Sequence, residues 1–292
     1  MAGAYPSGEN VSTSGLKERA NLGVARVTAL ANAPLGVFDS GLGGLSVVRE
    51  LWHLLPAEHI LYYADSAYCP YGARSPEEIR ERSALISRAL VKRGAKALVV
   101  ACNTASSVAI SDLRRFIGVP VVGLEPAVKP AAALTKTGKV GILATTRTVA
   151  GERLAQLIIR HAEGVEVLTM PAPGIVELVE AGHTSGPRVE AALRPFLDPL
   201  LARGIDTLVL GCTHYPFLRE TIQGLVGPSV VLLDSGVAIA RRTAQVLTDT
   251  SPPPPNGSRH FTLLTSGDPK VVSRAATALL KHPIQATLLE LE

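Results

Sequence analysis

Short runs of Val, Leu, Ile and Ala recur along this chain, and each is followed by a longer stretch whose apolar residues return every three or four positions. The short runs read as buried strands and the longer stretches as amphipathic helices. Strands are expected at residues 36–39, 60–64, 97–101, 119–123, 139–144, 165–169, 207–211, 230–233 and 261–265. Helices are expected up to Leu54, from the Ser75 cap to Arg93, over 175–181, over 188–203, from about Val237, and after Asp268. Ser75-Pro76-Glu77-Glu78 has the form of a capping box with proline in the first turn. Gly94 and Gly204 each follow an arginine and read as helix stops. Pro195 and Pro199 are expected to kink their helix. Strict alternation of strand and helix implies parallel sheets covered on both faces.

The pattern also repeats. Residues 90–102, ending Arg93-Gly94-Ala95-Lys96-Ala97-Leu98-Val99-Val100-Ala101-Cys102, align with residues 200–212, ending Arg203-Gly204-Ile205-Asp206-Thr207-Leu208-Val209-Leu210-Gly211-Cys212. Gly36-Val37-Phe38-Asp39-Ser40 likewise aligns with Gly141-Ile142-Leu143-Ala144-Thr145. The expected fold is α/β: two similar, pseudo-symmetric α/β domains with mainly parallel sheets and the active site in the cleft between them. Residues 1–33 form an N-terminal extension. Residues 34–127 form the first domain, completed by 237–292, and residues 128–236 form the second. The Pro-rich stretch 251–257 is expected to be a linker.

Composition narrows the function. The 292 residues are 47% hydrophobic and 18% charged, with a formal net charge of +4. The basic residues are scattered and no stripe of them is interleaved with aromatics, which speaks against a nucleic-acid partner. No apolar run approaches the ~20 residues of a membrane span. Residues 24–33 loosely imitate a secretion signal, but Arg26 interrupts the apolar run. A cytoplasmic protein is expected. The three cysteines, Cys69, Cys102 and Cys212, have neither CxxC spacing nor an even count, so reduced thiols are expected rather than a disulfide framework or a structural zinc site.

Cys102 and Cys212 end equivalent strands of the repeat. Ligands of open α/β sheets sit beyond the carboxyl ends of strands, so two facing domains would bring both thiols to one cleft. Each is expected just before a helix N-terminus, which favours the thiolate. One thiolate can remove a proton from carbon while the opposite thiol delivers one, which inverts a stereocentre. Asn103-Thr104 and Thr213-His214 set polar groups beside the two thiols. Asp39-Ser40-Gly41-Leu42-Gly43-Gly44 follows a strand and opens a helix, so its free N–H groups are candidates to hold a carboxylate. His214 is placed to tune Cys212 or to donate a proton. Glu180, taken alone, reads as a surface carboxylate on an amphipathic helix, and Cys69 as an ordinary loop residue.

Together, Phe38-Asp39-Ser40-Gly41-Leu42-Gly43-Gly44, Cys69-Pro70-Tyr71-Gly72, Ala101-Cys102-Asn103-Thr104-Ala105 and Gly211-Cys212-Thr213-His214-Tyr215-Pro216 resemble, in order and spacing, the signature blocks of glutamate racemases. The resemblance runs from about Pro34 to near the end of the chain. It implies that Cys102 and Cys212 are the acid/base thiols, with Asp39 assisting Cys102, His214 assisting Cys212, and Glu180 orienting His214. It implies a substrate site lined by Asp39, Ser40, Tyr71, Gly72, Asn103, Thr104, Thr145, Thr148, Thr213 and His214. It further implies supply of D-glutamate for bacterial peptidoglycan without pyridoxal phosphate or metal, a homodimer, and, in longer members, activation by UDP-N-acetylmuramoyl-L-alanine. The chain departs from many members in having Ala172-Pro173 where they carry Cys-Pro.

Rival readings are an aspartate or hydantoin racemase or a one-thiol decarboxylase of the same superfamily, and a two-lobed binding protein that leaves the α-proton in place. An inhibitor of a DNA enzyme is a third reading, and nothing in the charge pattern selects it.

Overall fold

The computed structural model describes residues 32–250 and 260–291. The N-terminal extension, apart from Asn32 and Ala33, and the Pro-rich stretch 251–257 lie outside the described residues. Among the described residues no helix is long and apolar enough to cross a membrane.

Two parallel sheets organise the chain. The first contains β1 (Leu35–Asp39), β2 (Ile60–Ala64), β3 (Ala97–Val100), β4 (Val121–Gly123), β9 (Phe261–Thr265) and β10 (Ala286–Leu288), in the order β10-β9-β2-β1-β3-β4. The second contains β5 (Lys139–Ala144), β6 (Glu166–Pro171), β7 (Thr207–Leu210) and β8 (Val231–Leu233), in the order β6-β5-β7-β8. The central strands of the first sheet are buried on both faces, so they read as continuous apolar runs rather than alternating ones.

The repeat reappears in the register. Leu35 pairs with Ala97 in the first sheet, and Val140 pairs with Thr207 in the second. These are equivalent positions of the aligned segments. The glycines one residue further on are equivalent too. A Cβ at Gly36 would meet Leu98 at 2.6 Å and Ala95 at 3.0 Å, and one at Gly141 would meet Ile205 at 2.9 Å and Leu208 at 3.0 Å. Both sheets thus use a glycine to let the helix–strand corner close over the first strand, and filling either gap would cost about 1–3 kcal/mol.

The helix signals are realised with local differences. The Ser75 hydroxyl accepts the Glu78 N–H at the start of α2 (Pro76–Lys92), while the Glu78 carboxylate pairs with Arg74 instead of reaching back to complete the box. Gly94 and Gly204 have φ of +87° and +76°, the left-handed conformation that stops a helix. The helix Pro187–Ala202 runs on through Pro195 and Pro199 as one assigned segment.

The chain crosses between the sheets more than once. The helix Gly236–Thr250 follows the second sheet but packs on α1 (Leu45–Leu54), and β9 and β10 extend the first sheet beyond β2. One continuous apolar cluster runs from Leu42, Leu45 and Val48 in the first lobe to Leu143, Val179 and Tyr215 in the second. The lobes therefore share a core.

Candidate functional site

In each sheet the chain runs outward from its first strand on one side and then crosses to the other. The crossings fall between β1 and β3 in the first sheet and between β5 and β7 in the second. Such switch points open crevices at the carboxyl ends of strands. Asp39 ends β1 and Cys102 lies just past β3. Thr145 and Cys212 lie just past β5 and β7. All four are at least nine-tenths buried.

Around the first thiol, Asp39 is fixed by four donors, one of them the Ser40 hydroxyl at 3.3 Å from Oδ1. Ser40 N–H reaches Oδ1 at 2.7 Å, Gly44 N–H reaches Oδ2 at 2.6 Å, and the Thr213 hydroxyl arrives at Oδ2 from the other sheet at 3.1 Å. The thiol of Cys102 lies 3.9 Å from Ser40 Oγ and accepts the Ala105 N–H at 3.4 Å, so it caps the helix Asn103–Phe116. The expected lowering of its pKa by that helix end does not prevail. Burial, and then the charge of Asp39, push the Cys102 thiol well above the ordinary thiol range, against the weaker pull of the Ala105 N–H. Burial likewise raises Asp39, while His214 and the hydrogen bond with Cys102 restrain it.

The second thiol has different surroundings. Cys212 Sγ lies 3.6 Å from His214 Nδ1, and His214 Nε2 lies 2.6 Å from Glu180 Oε1. Burial favours a neutral imidazole. Hydrogen bonds with Cys212, Cys69 and Glu180 outweigh it and raise the His214 pKa well above its usual value. No α-helix starts at Cys212. A 3₁₀ turn over Tyr215–Leu218, with Pro216 in it, intervenes before the helix Arg219–Val226. His214, rather than a helix terminus, is the group that stands beside Cys212.

The glycine-rich turn also works differently from expectation. Its Ser40 and Gly44 N–H groups go to Asp39, and its Leu42 N–H goes to Glu180 Oε1 at 2.6 Å. These donors hold the protein's own carboxylates. A Cβ at Gly43 would lie 2.6 Å from Thr213 Oγ1 and would overlap the His214 ring, so the turn presses against the second lobe where only glycine fits.

The remaining expected site residues fall into two groups. Thr104 Oγ1 stands 3.0 Å from Thr145 Oγ1 and 3.3 Å from Thr148 Oγ1, a hydroxyl triad that spans the two lobes. Asn103 is buried, and its Oδ1 has no hydrogen-bond partner among the described residues. Gly72 abuts Thr145 from the first lobe. Tyr71 is buried, but its hydroxyl donates to Asp65 Oδ2 at 2.6 Å, where Arg82 also binds. That side chain braces the loop, which leaves the backbone of Tyr71 as what it can offer a ligand.

Glu180 and Cys69 were the least legible members. Glu180 ends the short helix Ile175–Glu180 and turns inward onto His214 and Leu42. Cys69, read from sequence as a plain loop residue, has its thiol beside the same pair, with the ligand atoms of Cys69, Glu180 and His214 within 4.8 Å of one another. Burial pushes the Cys69 thiol up to about 12, with its hydrogen bond to His214 acting the other way. No spacing in the sequence connects position 69 with 180 or 214, so only the fold could reveal this cluster.

Two buried thiols at the switch points of two related sheets, each with its own proton-handling neighbour, define a cleft built for proton transfer on both faces of a small molecule. The family described as Asp/Glu/hydantoin racemase matches residues 35–243, and the chain belongs to it. Within that family it is similar to the glutamate racemase of Ectopseudomonas mendocina, at 54% identity over 218 residues, covering 74% of this chain and 83% of the relative. It is also similar to that of Herpetosiphon aurantiacus, at 50% identity over 82% of this chain and 95% of the relative. Among solved structures, Escherichia coli glutamate racemase, in complex with L-glutamate and the activator UDP-MurNAc-Ala, superposes with a TM-score of 0.78 at 38% identity, covering 89% of this chain and 98% of that one. The Francisella tularensis enzyme in complex with D-glutamate superposes with a TM-score of 0.79 at 29% identity, covering 90% of this chain and 99% of that one.

Proposed function

We propose that this protein interconverts L- and D-glutamate by transferring protons at the α-carbon between Cys102 and Cys212, and so supplies D-glutamate for peptidoglycan. The observation that carries the reading is the pair of cysteines at equivalent strand ends of the repeat, both buried and differently partnered.

The partners suit opposite tasks. An imidazolium at His214, held by Glu180, offsets the charge of a thiolate 3.6 Å away at Cys212. Burial and Asp39 keep Cys102 in its thiol form, ready to donate. In one direction the Cys212 thiolate takes the α-proton and the Cys102 thiol delivers its own to the opposite face. The reverse direction exchanges the roles, and the coupled groups titrate as a set. The dry cleft strengthens each hydrogen bond to the developing carbanion. The unpartnered Asn103 Oδ1 is an acceptor suited to the α-ammonium. The hydroxyls of Thr104, Thr145 and Thr148, and the backbone at Tyr71-Gly72, are donors suited to the carboxylates. Ser40 and Thr213 border the two thiols and set their spacing through Asp39.

The finer readings extend to regulation and assembly. Arg153 and Arg242 stand close enough to Arg114 to repel it, with Glu125 acting the other way. A nucleotide diphosphate such as that of UDP-N-acetylmuramoyl-L-alanine suits such a group of guanidinium charges. We place the enzyme in the cytoplasm as a homodimer, which sedimentation at enzyme concentrations tests.

The activity test is incubation with L-glutamate in D2O without added cofactor, following circular dichroism and the α-proton resonance together. Loss of optical activity with deuterium at Cα is expected. Failure to exchange the α-proton, with and without the muramoyl nucleotide, overturns the reading, and faster exchange of aspartate reassigns the substrate.

A further inference from the structure

Racemisation by two thiols leaves one reactive group unused, the thiol of Cys69. Its sulfur, an imidazole nitrogen of His214 and a carboxylate oxygen of Glu180 lie within 4.8 Å of one another. Thiolate, imidazole and carboxylate together form a ligand set that Zn²⁺ takes up in tetrahedral geometry at about 2.0–2.3 Å, leaving a fourth position open. Closing the three atoms onto an ion requires small side-chain movements, and Cys69 sits between two 3₁₀ turns, Ser66–Tyr68 and Tyr71–Ala73.

A route to the cluster exists. A cavity of about 420 Å³ opens onto Cys69 and Glu180 and is also lined by Glu177 and Asp268, with Leu42 and Val272 among its apolar walls. Its lining carries three carboxylates and no lysine, arginine or histidine. A concave surface with one sign of charge concentrates the opposite ion. The cavity is thus a vestibule for cations that ends on Cys69 and Glu180, with a nitrogen of His214 within 4.8 Å of both ligand atoms.

We propose that Cys69, His214 and Glu180 bind a soft divalent cation of the zinc and cadmium class, admitted through this acidic vestibule, and that the bound ion inhibits the enzyme. As the sulfur–metal bond forms, the Cys69 thiol gives its proton to solvent, and the imidazole gives up the proton it directs to Glu180. No electron changes hands. Binding therefore releases protons, as metal binding to a thiol generally does. An ion on His214 removes the group that assists Cys212. The inhibitory half of the inference rests on the proposed racemase activity, and the binding half does not.

The test uses the reduced, metal-free, full-length chain. Titration with Cd²⁺ is followed by the ultraviolet cadmium–thiolate band, and Zn²⁺ affinity is measured by competition with a chromophoric chelator. The expected result is one ion per chain, with a band that is lost in Cys69→Ser and Cys69→Ala and kept in Cys102→Ala. Zn²⁺ affinity is expected to fall by about tenfold or more in Cys69→Ser and in Glu180→Gln. Circular dichroism confirms that each variant is folded. In racemisation assays Zn²⁺ inhibits the wild-type chain, a chelator restores it, and the remaining activity of Cys69→Ser resists Zn²⁺ by the same factor. A band that persists in both Cys69 variants, or that disappears in Cys102→Ala, overturns the site. Stoichiometric binding without loss of racemisation overturns the inhibition. If the chain does not racemise glutamate at all, the cadmium band still decides the site.

Discussion

The hydroxyl of Thr213, next to the thiol of one lobe, donates at 3.1 Å to the carboxylate of Asp39, which interacts with the thiol of the other. Ser46 adds a second tie by donating to the Thr213 carbonyl at 2.8 Å. Buried contacts between residues beside the two thiols therefore tie the two halves of the site together. Thr213→Val keeps the shape and removes the donor, leaving Asp39 Oδ2 with Gly44 N–H alone. We expect a loss of about 1–3 kcal/mol in stability and a rise in KM, read by denaturant unfolding and by steady-state kinetics.

Under the proposed mechanism, replacing either thiol removes one of the two proton carriers. Cys102→Ala and Cys212→Ala are each expected to lower racemisation about a thousandfold or more, within the range that positioned acids and bases supply. Polarimetry with L- and with D-glutamate checks this. Near-full activity in either variant contradicts the two-thiol mechanism.

The Glu180–His214 contact makes a prediction about pH. His214 has a raised pKa partly through Glu180, so its protonated form persists to higher pH than in a free imidazole. Glu180→Gln removes the carboxylate charge, and the His214 pKa falls. If the protonated imidazole supports the Cys212 thiolate, the alkaline limb of the kcat profile moves to lower pH. The expected signature is a displaced limb with a drop of about tenfold at neutral pH, and a uniform drop with an unmoved limb argues for a purely structural role.

Gly43→Ala tests the close approach of the turn to the second lobe. The new methyl would overlap His214 and the Thr213 hydroxyl and so push the lobes apart. A displacement near 1 Å is enough for about a hundredfold loss of kcat/KM. Because the change sits at the cleft, the thermal midpoint is expected to fall by less than in Gly36→Ala, whose methyl would enter the core beneath β1.

Local chemistry explains what the sequence revealed and what it hid. The strands Ile60–Ala64, Lys139–Ala144 and Phe261–Thr265 were readable to the residue, because apolar runs bounded by polar or glycine residues leave little freedom of register. The repeat exposed Cys102 and Cys212 because equivalent strands carry their signal at equivalent ends. By contrast β10 (Ala286–Leu288) escaped, being a three-residue edge strand with mostly exposed side chains and no apolar run to mark it. The helix expected after Cys212 became a 3₁₀ turn with Pro216 inside it. The hydroxyl of Tyr71 braces Asp65, a partnership made by the turn between β2 and α2 that the sequence did not announce. Cys69 was the largest omission, because its neighbours lie more than a hundred positions away and only tertiary contact joins them.

The sheet order has a consequence for biosynthesis. The second lobe is one uninterrupted stretch, from β5 to β8, whereas the first sheet receives β9 and β10 only from the last part of the chain. On a ribosome, where contiguous units fold as they emerge, the lobe that starts later is the first to be complete. The edge of β2 that β9 covers stays unpaired until residues 261–265 have emerged. The first sheet therefore gains its last strands only after both thiol-bearing segments have been synthesised.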